Sequence, residues 1–182
     1  LVKDCTAVLA SGAASAEDKV IALNNRAAAR EFAGEGNPDE IIRDYDEAIR
    51  LRPELAKLYY NRGVAWLRRN EITKALDDLD RAVRVDPQFA VAYGLRAEAR
   101  LAQKSYDLAI RDCDEAIRLA PGYLHPLYNP YETRAQALEG KGDTAGAASE
   151  RQRSSALWSK NPAAKPPPTV AGQRRWEPFI SR

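Results

Sequence analysis

Asp44-Tyr45-Asp46-Glu47-Ala48-Ile49-Arg50-Leu51-Arg52-Pro53 returns as Asp78-Leu79-Asp80-Arg81-Ala82-Val83-Arg84-Val85-Asp86-Pro87, and again as Asp112-Cys113-Asp114-Glu115-Ala116-Ile117-Arg118-Leu119-Ala120-Pro121. The closing prolines are spaced by 34 residues both times. A period of this length means stacked copies of one supersecondary unit, each burying its apolar face against its neighbours. Such stacks present extended concave surfaces, which suit the binding of other chains better than they suit chemistry.

Each copy reads as two helices. Ala56 to Arg69 carries Leu58, Tyr59, Ala65 and Trp66 on a helical stripe and breaks near Asn70. Thr73 to Val85 follows, with Leu76, Leu79, Ala82 and Val83 at three- and four-residue spacing, and Pro87 closes it. Ala90–Gln103 and Ser105–Leu119 repeat the pattern. The first copy is two residues longer, with the surplus in the turn Gly34-Glu35-Gly36-Asn37-Pro38. Ser15-Ala16-Glu17-Asp18 reads as a helix N-cap with acids in the first turn, and Asn129-Pro130 as a second helix start. Leu1 to Ala10 matches only the second helix of a unit. A last helix is expected from about Thr144 to Trp158, followed by a Pro-rich tail.

Bulk properties narrow the function. Of 182 residues, 45% are hydrophobic and 30% charged, as in a folded array with a charged exterior. The net charge is +2 with acids and bases interleaved, so a nucleic-acid surface is not expected. No apolar run approaches the ~18–20 residues a membrane span needs. His125 is the single histidine, with no cysteine nearby, and neither a phosphate-binding Gly-Lys-Ser/Thr loop nor Gly-x-Ser-x-Gly occurs. We therefore expect no catalytic residues, no metal and no cofactor. Cys5 and Cys113 hold the same place in repeats about three units apart, beyond the ~7 Å reach of a disulfide. They are expected to be buried free thiols, although pairing of Cys5 with a cysteine upstream of Leu1 stays open. The chain has no methionine and starts at Leu1, which leads us to expect a preceding segment such as a signal peptide. Location, cytoplasmic or exported to a periplasm, is left undecided.

Arg26, Arg62, Arg96 and Arg134 recur in the first helices, and a carboxylate follows each: Asp44, Asp78, Asp112 and Glu150. This constancy fits an inter-helix ion pair in every unit better than a ladder for ligands. Asp46, Asp80 and Asp114 are expected to cap or solvate the outer face.

These residues resemble the tetratricopeptide repeat (TPR) family. Gly63 and Ala97 supply the small residue of the first helix, Ala75 with Ala82 and Ala109 with Ala116 the close-packed alanines of the second, and the three prolines the stop. The Asn-Arg-Gly and Asp-Tyr-Asp-Glu-Ala-Ile phrases look like those of bacterial TPR proteins. The resemblance implies an all-α fold, an α-solenoid in which antiparallel TPR helix pairs stack into a right-handed superhelix. Its parts would be a partial repeat at 1–12, repeats at 16–55, 56–89 and 90–122, a degenerate capping repeat at 123–160, and a tail at 161–182. In that last repeat Ser154 stands where the others carry alanine.

The resemblance also implies a peptide groove lined by first helices. Carried over, it points to Ile21, Asn24, Asn25, Lys57, Tyr60, Asn61, Val64 and Arg68, then Val91, Leu95, Glu98 and Leu101, then Glu132 and Gln136. Tyr60 and Leu101 would be apolar anchors, and Asn61 would grip peptide backbone. The carboxylate clamp of co-chaperone TPR domains is not expected. Asn61 matches its central asparagine, but Asn24, Ala28, Val91 and Leu95 replace the other four partners. Arg174, Arg175, Trp176, Phe179 and Ile180 in the tail are candidates for docking on the stack, with the arginines near acids such as Glu132 or Glu139. The expected function is a non-catalytic scaffold for a protein or peptide partner. The alternatives are a self-assembly module joined through the terminal half-repeat and tail, or a regulatory part of a larger enzyme.

Overall fold

A computed structural model of the chain describes residues 1–34, 37–122 and 129–160, and among these it contains nine helices and no strand. In chain order they are α1 (Val2–Ala10), α2 (Ala16–Ala33), α3 (Pro38–Leu51), α4 (Ala56–Arg68), α5 (Ile72–Val85), α6 (Ala90–Ala102), α7 (Tyr106–Leu119), α8 (Pro130–Gly140) and α9 (Thr144–Lys160). They fall into two compact units that part between Asp86 and Pro87. In the first, α1 packs on α2, α2 pairs with α3, α4 pairs with α5, and α3 packs on α4. In the second, α6 pairs with α7, α8 with α9, and α7 packs on α8. Each unit is thus built from the stacked helix pairs of the α-solenoid class, antiparallel because a short turn joins the two helices of a pair.

Local chemistry sets the helix ends. Ser15 and Asp18 form a reciprocal capping box at the start of α2. Asn37 accepts from the Asp39 amide and Asn129 from the Tyr131 and Glu132 amides, each with proline next at the first helical position. The second helices stop two residues before Pro53, Pro87 and Pro121. The amide of the intervening residue bonds back to Ala48, Ala82 and Ala116 respectively. Between the two helices of every pair one residue is left-handed: Gly34, Asn70, Lys104 and Gly142, with φ of 66°, 59°, 60° and 88°. This conformation turns the chain back after the first helix. It is also the physical reason for the break the sequence shows near Asn70.

Packing follows the repeat. Tyr45 of α3 is fully buried among Ala27 of α2, Ile41 and Ile42 of its own helix, and Ala65 of α4, with Trp66 against the cluster. Leu9 of α1, Val20 and Leu23 of α2, Ala48 of α3 and Leu58 of α4 share a second apolar cluster. Gly63 allows the close approach of α4 to α5, since a Cβ there would stand 3.2 Å from Leu79 Cγ. Cys5 and Cys113 are buried free thiols. Burial pushes both thiols above their ordinary pKa, Cys113 the more strongly.

Candidate functional site

The recurrent arginines are scaffold. Arg26 meets Asp44 with bonds of 2.8 and 2.6 Å, Arg62 meets Asp78 at 2.8 and 2.6 Å, and Arg96 meets Asp112 at 2.9 and 2.6 Å. Arg134 meets Glu150 at 2.5 Å. All four carboxylates are buried, so the pairs join the two helices of each repeat from within. The outer acids do more than face solvent. Asp46 accepts from Arg62 of the following repeat at 2.5 Å, and Asp114 from Arg134 at 2.5 Å. Each of these arginines therefore bolts its own hairpin together and also reaches the preceding second helix. Arg100, standing where the second repeat has Trp66, adds a bond of 2.8 Å to Asp112. Trp66 instead lies under Lys74 and Arg69, at 4.5 and 5.3 Å from its ring centre.

Within the first unit, α2 and α4 lie side by side and bring the asparagines together. Asn61 Nδ2 donates to Asn24 Oδ1 at 2.8 Å, and Asn24 Nδ2 donates to Asn25 Oδ1 at 3.2 Å. Tyr60 and Val64 are buried with them, Lys57 is half-buried, and Ile21 is exposed. Burial lowers the pKa of the Lys57 ammonium, so this charge sits where it is poorly hydrated. Arg68 is drawn to the end of α2, where Nη1 donates to the Glu31 carbonyl at 2.7 Å and Nε stands 3.5 Å from the Glu31 carboxylate.

Glu31 was not legible as a site residue. It is buried beside the Tyr45 hydroxyl, and burial raises its pKa to about 7 against the pull of Arg68 and of that hydroxyl. The one available signal was an acid in the last turn of a helix, where the macrodipole disfavours negative charge.

In the second unit, Leu95 of α6 is buried, while Val91, Glu98 and Leu101 are half-buried. Glu132 is half-buried and Gln136 exposed on α8, with Gln136 donating to Glu132 at 3.2 Å. The acids at this end already have a partner. Arg151 of α9 bonds Glu139 at 2.5 and 2.8 Å and reaches Glu132 at 3.3 Å, which holds the Glu139 carboxyl below its usual value. Ser154 departs from alanine for a reason, since it accepts from Asn129 Nδ2 at 2.6 Å and ties α9 to the cap of α8. The tail candidates Arg174, Arg175, Trp176, Phe179 and Ile180, like His125, lie outside the described residues. Among the described residues no cluster of His, Cys, Asp and Glu is placed to hold a metal ion. No described helix is long and apolar enough to cross a membrane.

The tetratricopeptide repeat family model matches residues 56–89, the span of α4 and α5. Those residues form a tetratricopeptide repeat. A crystal structure of MamA matches this chain with a TM-score of 0.75, covering 89% of each chain at 22% identity. The MamA 41-end structure from Desulfovibrio magneticus RS-1 gives 0.68 at 20% identity, over 81% of this chain and 77% of that one. The first TPR of Spaghetti (RPAP3), bound to the HSP90 peptide SRMEEVD, gives 0.56 at 21% identity, over 74% and 94%. At these identities the likeness is one of fold. The TPR fold supports a protein-interaction scaffold in general.

Proposed function

We propose that this protein binds a peptide segment of a partner protein on the first-helix face, with α2 and α4 as the primary site. The observation that carries the reading is the Asn61–Asn24 bond that ties α4 to α2, with the exposed Ile21 and the half-buried Lys57 each about one helical turn before these asparagines. The asparagines are buried and bonded to one another, so they form the floor that holds α2 beside α4 under the site. The poorly hydrated Lys57 ammonium favours an acidic group at one end of the ligand. The co-chaperone clamp does not enter the reading, because four of its five side chains are replaced.

Selection of peptides from a random display library on the full chain tests this. Selected peptides are expected to lose about tenfold or more in affinity on Lys57→Glu or Ile21→Glu, a change of about 1.4 kcal/mol. Both substitutions fall outside the buried core, so circular dichroism is expected to be unchanged. Selected peptides that bind both variants as they bind the parent would refute the site.

A further inference from the structure

Arg68 stands between a buried acid and the α2–α4 face. On α4, Lys57, Asn61, Val64 and Arg68 are spaced by four, three and four residues, which puts them on one stripe of the helix. Asn61 and Val64 are its buried floor, whereas Lys57 is half-buried and the Arg68 side chain is 29% exposed. The two cations therefore lie about 16 Å apart along the same face. Arg68 is fixed by the last turn of α2. Its Nη1 donates to the Glu31 carbonyl at 2.7 Å, and its Nε stands 3.5 Å from the Glu31 carboxylate. The first contact is to backbone and does not depend on whether the carboxyl is ionised. The second sets how much uncompensated charge Arg68 presents. Glu31 is 5% exposed and out of reach of a ligand, so Arg68 is the group that meets both sides.

The groups that act on the Glu31 carboxyl are Arg68 from α4 and the Tyr45 hydroxyl from α3. Arg30, beside it on α2, is turned to Asp44 and Glu40 of α3 at 3.4 and 3.5 Å. Helix α1 packs on α2 at Arg26 and Leu23, and among the described residues it brings no charge to Glu31. Burial outweighs the one cation and holds the carboxyl at a pKa of about 7, so both of its forms are present at neutral pH.

We propose that Arg68 is a second anchor of the peptide site and that Glu31 gates it: an acidic group of the peptide docks on Arg68 as the Glu31 carboxyl takes up a proton from solvent. Resting on the α2–α4 site, this gives the ligand two acidic groups, one at Lys57 and one at Arg68, a span that an extended chain covers in about five residues. The cause is electrostatic. With Glu31 ionised, a docked peptide carboxylate and the Glu31 carboxylate are two like charges sharing one guanidinium in a poorly hydrated corner. Protonation removes one of them, while Arg68 keeps its place through the Glu31 carbonyl. By linkage, the peptide favours the proton as much as the proton favours the peptide.

A histidine-free, N-terminally acetylated peptide from the display selection, titrated into the full chain by calorimetry at pH 6, 7 and 8, tests the proposal. If the peptide raises the Glu31 pKa from about 7 to about 8, affinity falls about fivefold from pH 6 to pH 8. At pH 7 about 0.4 proton is then taken up per peptide bound, read from heats in two buffers of different ionisation enthalpy. Glu31→Gln, a permanently neutral side chain, should bind equally at all three pH values and as tightly as the parent does at pH 6. Arg68→Gln should weaken binding at pH 6 about tenfold and remove the pH dependence. A peptide that needs Ile21 and Lys57 yet binds the parent equally at pH 6 and pH 8 would overturn the proton link and leave the site standing. So would a pH dependence that survives in Glu31→Gln. A peptide indifferent to Lys57→Glu and Ile21→Glu removes the site, and the link with it.

Discussion

Replacing Asp78 by alanine decides whether the arginine ladder is joinery or a surface held ready for a ligand. The Asp78 side chain is 7% exposed and that of Arg62 22%, and two charge-assisted bonds of 2.8 and 2.6 Å join them. Removing one partner of a buried pair typically costs about 3–5 kcal/mol, because the other charge is left uncompensated in a poorly polarisable place. Arg62 keeps its second bond, to the half-exposed Asp46, so the charge is not abandoned. We therefore expect Asp78→Ala to cost about 2–3 kcal/mol. In melting temperature that is roughly 5–10 °C for a chain of this size unfolding as one unit.

The net worth of the pair is a separate matter. Burial lifts the Asp78 carboxyl above its usual pKa in spite of Arg62, whereas the bonds to Asp78 and Asp46 lift the Arg62 guanidinium above its own, so desolvation and attraction lie close to balance. The double change Arg62→Met with Asp78→Leu should accordingly recover most of the loss, to within about 1 kcal/mol of the parent. Asp46→Ala, which touches a half-exposed acid, should cost about 1 kcal/mol or less. Urea unfolding, with m compared between variants so that midpoints report stability alone, measures all three. If Asp78→Ala loses less than about 0.5 kcal/mol, the range of ordinary surface substitutions, the joinery reading is wrong and the ladder becomes available for ligands.

Three further outcomes follow from particular contacts. Lys104 holds φ of 60° where two other repeats use glycine, so Lys104→Gly should raise stability by about 0.5–1 kcal/mol in urea, and a loss would refute the strain. Glu31 has a folded pKa of about 7 against an ordinary 4.5, so the protonated form is favoured in the fold. Its contribution is fully present below pH about 4.5 and is lost as pH rises through about 7, by roughly 3 kcal/mol. Glu31→Gln should remove that slope, and urea midpoints for parent and variant that run parallel between pH 5 and 8 would refute it. Gly63→Val should cost about 1–3 kcal/mol by driving Cγ atoms into Leu79, whereas Leu79→Ala in the same chain should relieve part of the clash, read as positive coupling in a double-mutant cycle.

Whatever repeats was legible in the sequence, because repetition is itself a physical statement: a residue type kept at 34-residue spacing must meet the same neighbour each time. The helix pairs, the proline stops and the Arg–carboxylate pairs were read in that way. The left-handed turn at Lys104 was hidden because lysine carries no turn signal. Its position 34 residues after Asn70 was the one clue. The second bond from Arg62 to Asp46 was also missed. It crosses from one repeat to the next, and a period shows what recurs without showing which copy it touches.

The site residues were less legible, for a related reason. A period fixes which positions of α2 and α4 face the same way, but it does not say which side chains there are already bonded. Asn24, Asn25 and Asn61 become a cluster only through distances of 2.8 and 3.2 Å. Arg68 and Glu132, read as groove residues, are partly drawn off by Glu31 and Arg151.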